Sequence, residues 1–228
     1  MGLPVLQHPT FELKVPSTGE TLKYRPFLVR EEKILLLAQA STETSDMFNA
    51  IEQVLANCVL DYDVKRFTTF DTEYVFLNLR ANSVSQTATI RIMDDETEEQ
   101  VEVEVDLNDV KCELPELEKL IQVNEEVAIE LRYPTYQDIL ATGEDIMQTI
   151  TKCIDKVYMA DGNVLDTKDF TDAEVDEFVN SIPSDAFNGM QAFFNDMPAV
   201  TLDVPYEVKV GRKKVKKVKQ LRGIADFF

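Results

Sequence analysis

The side chains able to do chemistry are few. One histidine, His8, is present in the chain, and any Ser-His-Asp or Cys-His arrangement would have to use it. A histidine in a short N-terminal segment that nothing orients is a poor general base. The three cysteines, Cys58, Cys112 and Cys153, are far apart and form no Cys-x-x-Cys pair. They read as free thiols in a reducing compartment, used as small apolar residues. The seven glycines are scattered, and Gly211-Arg212-Lys213-Lys214 lacks the Walker spacing of a phosphate loop. Asp94-Asp95-Glu96 could attract a divalent cation loosely, but neither it nor Asp161-Gly162-Asn163 has the ligand spacing of a calcium loop. Carboxylates are abundant, yet nothing singles out two of them as a glycosidase pair. No enzyme, cofactor or metal is expected.

What does stand out is charge at two places. From Tyr206 onward apolar and charged residues alternate through Val208 and Val210, turn at Gly211, and continue through Val215 and Val218, the period of a β-hairpin. Its bases are Lys209, Arg212, Lys213, Lys214, Lys216, Lys217, Lys219 and Arg222, against the single acid Glu207. About a hundred residues earlier, Thr87 to Leu107 alternates too, with a turn near Asp94-Asp95. That tip and its return strand carry Asp94, Asp95, Glu96, Glu98, Glu99, Glu102, Glu104 and Asp106, with no base among them. The two hairpins are expected to pair, within one chain or between neighbouring copies. Two solvated hairpins that avoid aggregation through charge remain the alternative.

With 228 residues the chain can bury a sizeable core as one large domain or two small ones. No run is near the roughly 18 apolar residues of a membrane span, and residues 1–10 lack the pattern of a signal peptide. A net charge of −19 argues against nucleic acid or an anionic membrane as the main partner, since both would repel the chain at long range. The basic hairpin makes nucleic-acid binding the alternative from another class, weakened by the lack of aromatics among its lysines after Tyr206.

The elements that would position these hairpins follow in order. Thr10 to Val15 and Thr21 to Tyr24 alternate as strands around a turn at Pro16 to Glu20. Arg30 to Gln39 reads as a helix with Ile34 to Leu37 as its apolar heart. A second helix, N-capped by Ser45 or Asp46, carries Phe48, Ile51, Val54, Leu55 and Cys58. A third opens at Phe70-Asp71-Thr72-Glu73 and leads to the acidic hairpin. The second half repeats the order: a strand over Val127 to Tyr133, a short helix from Tyr136, and a longer one from Asp145 to Val157. A helix opened by the capping box Thr171 to Glu174 and another from Ser184, stopped by Pro198, precede the basic hairpin. Ile51, Leu55 and Cys58 fall on Ile146, Ile150 and Cys153, which suggests a diverged internal duplication; chance repetition of amphipathic helices is the alternative.

At Leu22-Lys23-Tyr24-Arg25-Pro26-Phe27-Leu28-Val29-Arg30-Glu31-Glu32-Lys33, with Phe11 to Gly19 before it, the sequence resembles the baseplate hub proteins of T4-like contractile-tailed bacteriophages, particularly their cyanophage versions. The similarity continues through Asp71 to Arg80, Phe193-Phe194-Asn195-Asp196-Met197-Pro198 and the terminal Asp226-Phe227-Phe228, and so spans nearly the whole chain. The resemblance implies a non-enzymatic tail protein that is built into the hub or helps it assemble, found in the virion tail or in the host cytoplasm during assembly. It also implies other tail and hub proteins as partners, with self-association open. Relatives often carry Cys-x-x-Cys turns at both hairpin tips, like halves of a zinc ribbon. This chain has no cysteine at either tip, and opposite charge would take the place of the metal.

The expected fold is α+β, with helices packed among β-hairpins and the two charged hairpins in a zinc-ribbon-like arrangement without metal. Residues 1–110 and 111–228 are expected as two halves of one compact unit. The interaction surface is expected at Asp94, Asp95, Glu96, Glu98, Glu99, Glu102 and Glu104, at Lys209, Arg212, Lys213, Lys214, Lys216, Lys217 and Lys219, and at the docking pair Phe227 and Phe228.

Overall fold

A computed structural model describes residues 6–41, 43–143, 145–211 and 213–227. The chain runs β1 (Phe11–Lys14), β2 (Thr21–Tyr24), α1 (Val29–Gln39), α2 (Thr44–Cys58), α3 (Thr69–Ser83), β3 (Thr87–Met93), β4 (Gln100–Asp106) and β5 (Lys111–Cys112). It continues as β6 (Leu120–Gln122), β7 (Val127–Leu131), α4 (Tyr136–Thr142), α5 (Ile146–Lys152), β8 (Ile154–Met159), β9 (Val164–Asp166), α6 (Asp172–Asn180), α7 (Ser184–Asn195), β10 (Val200–Val210) and β11 (Lys213–Arg222). All strand pairs are antiparallel. This is a mixed α+β fold built from small sheets.

The chain forms two compact units: residues 1–113 with 199–228, and residues 114–198. This differs from two consecutive halves. The basic hairpin β10–β11 belongs to the first unit, because β10 pairs with β5 at Val200–Cys112 and Thr201–Lys111 and its inner residues join that unit's core.

In the first unit α3 is the central element. Its buried residues Phe70, Val75, Phe76, Leu77 and Leu79 point in every direction around the axis, as expected of a helix covered on all sides. Thr68 caps it, accepting from the Asp71 amide while the Asp71 carboxylate accepts from the Thr68 amide. That carboxylate also accepts from the Ser17 amide at 2.9 Å and hydroxyl at 2.6 Å, and so pins the β1–β2 turn to the helix. In α2, Ile51, Val54, Leu55 and Cys58 are buried at helical spacing. Its N-cap is Glu43 rather than Ser45 or Asp46, because Asp46 accepts from the Ser41 hydroxyl instead.

Helix α1 does not bury its apolar run. Leu36 and Leu37 are 58% and 75% exposed. Four consecutive residues cannot share one face of a helix; the inward stripe is Glu31, Ile34, Leu35 and Ala38, spaced i, i+3, i+4, i+7.

The second unit packs Ile129, Leu131, Ile150, Ile154, Val157, Val179, Met190 and Phe193 into its own core. The helix expected from Asp145 to Val157 stops at Lys152, and Ile154 to Met159 form strand β8. Ile154 and Val157 suit either period, and pairing with β7 decides for the strand. Asp161-Gly162 turns β8 into β9, with Gly162 at φ 90.

The two units share a local plan. In each, a hairpin (β1–β2, β6–β7) runs into an arginine, Arg25 or Arg132. Its backbone N–H donates to the carbonyl of Cys58 at 3.0 Å or Cys153 at 2.9 Å. Its guanidinium binds a carboxylate six residues on, Glu31 or Asp138, together with the carbonyl of Asn57 or Lys152. That carboxylate accepts from the backbone N–H of the next helix's N-cap residue, Leu28 or Thr135. Both plans go on to a 3-10 turn and a threonine-capped helix, at Thr68 and Thr171.

A candidate interaction surface on the paired charged hairpins

The register of β10–β11 sorts its side chains. Counting back from Gly211 (φ 64), the pairs are Val208–Val215, Tyr206–Lys217, Val204–Lys219 and Leu202–Leu221 on one face. The other face holds Lys209–Lys214, Glu207–Lys216, Pro205–Val218 and Asp203–Gln220. On the first face Leu202, Val204, Tyr206 and Val208 of β10 are buried. Val218, three residues on from Val215, is 66% exposed, because an odd step along a strand carries a side chain to the opposite face. In β3–β4, Ala88, Ile90, Ile92 and Val105 are buried, while Thr89, Arg91, Met93, Glu102 and Glu104 face out.

The two hairpins meet at the acidic tip. Asp94 is 1% exposed. Its carboxylate accepts from the amides of Glu96 and Thr97 and from the Thr97 hydroxyl, which shapes the turn, with Glu98 at φ 55. Tyr206 Oη donates to Asp94 at 2.6 Å, and Lys217 Nζ reaches both carboxylate oxygens at 3.0 and 2.9 Å and Glu96 at 2.9 Å. Lys219 Nζ donates to the Met93 carbonyl and to Asp95, each at 3.0 Å. The Tyr206 hydrogen bond and the Lys217 ammonium hold the Asp94 carboxyl well below the usual carboxylate range, and the bonds to Asp94 and Glu96 raise Lys217.

Of the residues singled out in the sequence, the structure therefore brings together Asp94, Asp95, Glu96, Lys217 and Lys219. Glu102 pairs with Arg91 on its own hairpin at 3.0 Å, and Lys214 and Lys216 each lie 3.8 Å from Glu207. Among the described residues Glu98, Glu99, Glu104, Lys209 and Lys213 make no ion pair within 4.0 Å. Arg212 and Phe228 lie outside the described residues. Phe227 is 2% exposed and sits in the core of the first unit, which corrects its expected docking role. Gly223 (φ 74) turns the chain back, its N–H donating to the Val200 carbonyl, and Asp226 accepts from the Arg222 amide. The sequence reading missed Tyr206 as a partner of Asp94. Its place opposite Lys217 follows from counting the register out from the Gly211 turn.

The thiols are quiet. Burial pushes Cys58 up to about 11 and Cys112 and Cys153 up to about 12, so all three remain protonated. Among the described residues no group of His, Cys, Asp and Glu is arranged to hold a metal ion, and no helix is long and apolar enough to cross a membrane.

Residues 8–228 match the family described as T4 bacteriophage base plate protein. No curated protein and no solved structure matches the chain.

Proposed function

The chain belongs to the T4 bacteriophage base plate protein family, and from that premise we propose that it is a non-enzymatic structural or assembly component of the baseplate hub, acting through protein–protein contacts. One observation carries the reading. The acidic tip consumes only the inward lysines, Lys217 and Lys219, and leaves Lys209, Lys214 and Lys216 on an outward face beside the exposed Val218. Inward charge fixes how the hairpins sit on each other, and outward charge is left for another surface. The buried, protonated thiols offer no ready nucleophile, and His8 lies exposed before the first strand.

The nucleic-acid reading draws support from the same lysines but lacks a stacking platform. The one aromatic of the hairpin, Tyr206, is turned inward onto Asp94.

Mass spectrometry of purified virions and of tail-assembly intermediates tests the proposal. Peptides of this chain in virions mark a built-in component. Peptides in intermediates alone mark an assembly factor that leaves. Absence from both defeats the reading.

A further inference from the structure

The outward face of β10–β11 is built against its own hairpin's interest. Lys209 lies directly opposite Lys214, and like charges so placed weaken a strand pair. Lys216 and Lys214 share the single carboxylate of Glu207, each at 3.8 Å, too far for a close ion-pair contact. Beside them Val218 is 66% exposed, and a notch of about 410 Å³ opens between Val101, Val103 and Pro205. A local conflict of this kind, only partly offset by Glu207 among the described residues, is characteristic of a surface completed from outside.

The outward face of β3–β4 is its electrostatic complement. Glu102 and Glu104 alternate along β4 at the same two-residue spacing as Lys214 and Lys216 along β11. Arg91 offsets only Glu102, as Glu207 offsets only part of the lysine row. This face too carries an exposed apolar side chain, Met93, at 49%. Among the described residues no ion pair joins the outward lysine row to the outward acid row within the chain.

We propose that the outward lysine face of β10–β11 docks on the outward acidic face of β3–β4 of a second copy, so that copies of this chain associate head to tail. The inference rests on the reading of the hairpins as contact surfaces and names the partner. Two chains of net charge −19 repel at long range. At an ionic strength of about 0.15 M that field is screened beyond roughly 8 Å, and local complementarity decides. Because the two faces differ, the contact is heterologous and either closes into a ring or leaves free ends.

Sedimentation velocity on the full chain at about 0.15 M salt tests this. Wild type should form species heavier than the monomer. K209E/K214E/K216E and E102K/E104K should each associate at least about tenfold more weakly. Both replace exposed side chains, so an unchanged fold by circular dichroism should accompany the loss, with at most a slight fall in melting where K216E faces Glu207 and E102K faces Arg91. Mixed in equal amounts the two variants should re-form a dimer, since each retains the face the other lacks. A monomeric wild type, either variant set associating unimpaired, or no rescue on mixing overturns the proposal. A monomer that co-purifies with other baseplate proteins would overturn it and leave the hub reading standing. A monomer that retains a short DNA duplex, lost in K209E/K214E/K216E, would overturn it in favour of nucleic acid.

Discussion

Tyr206 donates its phenol hydrogen to Asp94 over 2.6 Å, across 112 residues of sequence. Lys217, the cross-strand neighbour of Tyr206, binds the same carboxylate. One buried acid thus holds its own turn through Thr97 and receives the other hairpin through a phenol and an ammonium. Satisfying so many donors requires the ionised form, which ties the hairpin pairing to pH.

Acid should therefore unfasten the first unit. The Asp94 carboxyl lies below its ordinary value because of the Tyr206 and Lys217 bonds. At Glu31 burial opposes ionisation, but the bonds from Arg25, the Leu28 amide and Arg30 outweigh it and bring it to about 2. A carboxyl depressed by folding stabilises the native state fully above its unfolded value, near about 4, and that contribution is lost as pH falls towards the folded value. For Glu31 it is at most on the order of 3 kcal/mol at neutral pH, less where solvent screens the pair. Urea midpoints should fall steeply between about pH 5 and pH 2. In the double variant D94N/E31Q the neutral midpoint should be lower and the pH slope flatter; an unchanged slope would refute the assignment.

Much of this arrangement is legible in the chain, and the failures have physical causes. Period-two alternation identifies both charged hairpins, and their opposite charge identifies them as partners, because strand side chains report their face by parity. Parity also places Val218 outside, once the register is counted from Gly211. Helix α5 is misjudged because Ile150, Cys153, Ile154 and Val157 fit a helical stripe, and only pairing with β7 makes the last of them strand. The inward face of α1 is hidden because its deepest side chain is a glutamate, buried only because Arg25, Arg30 and the Leu28 amide donate to it.

The two arginine clamps should be unequal in strength. Arg25 and Glu31 have side chains 13% and 0% exposed, whereas Arg132 and Asp138 are 33% and 14% exposed. Arg25→Ala strips the least exposed donor from the Asn57 carbonyl and from the buried Glu31 carboxylate, which keeps only Arg30 and the Leu28 amide, and should cost at most about 3–5 kcal/mol. Arg132→Ala should cost clearly less, because water reaches the partner left behind. Arg25→Lys should not rescue, since a single ammonium cannot serve Glu31, Pro26 and Asn57 together. Equal losses at the two sites by chemical denaturation would contradict this ordering.

The two faces of the basic hairpin can be separated by a pair of substitutions. Val208 is 2% exposed and Val218 66%. Val208→Ala should destabilise by roughly 1–3 kcal/mol through lost burial and a residual cavity. Val218→Ala should stay within about 0.5 kcal/mol, as surface replacements do. Thermal melts under identical conditions decide it, and a costly Val218→Ala would mean that the outward face is covered within the chain.

Cysteine chemistry offers a check on both repeated units at once. Cys58 and Cys153 occupy the same place in the two plans, each at the end of a helix with its carbonyl bound by an arginine amide, and each is 0% exposed. Burial holds the thiols at about 11 and 12, so at pH 8 on the order of one in a thousand or fewer is thiolate. Labelling by a thiol-specific disulfide reagent should then proceed through opening of the native state, at rates far below those of the urea-unfolded chain. Arg25→Ala should speed labelling at Cys58 and leave Cys153 unaltered, and Arg132→Ala should do the reverse. That crossed pattern is what two separate clamps require, and equal acceleration at both thiols would show that the units open together.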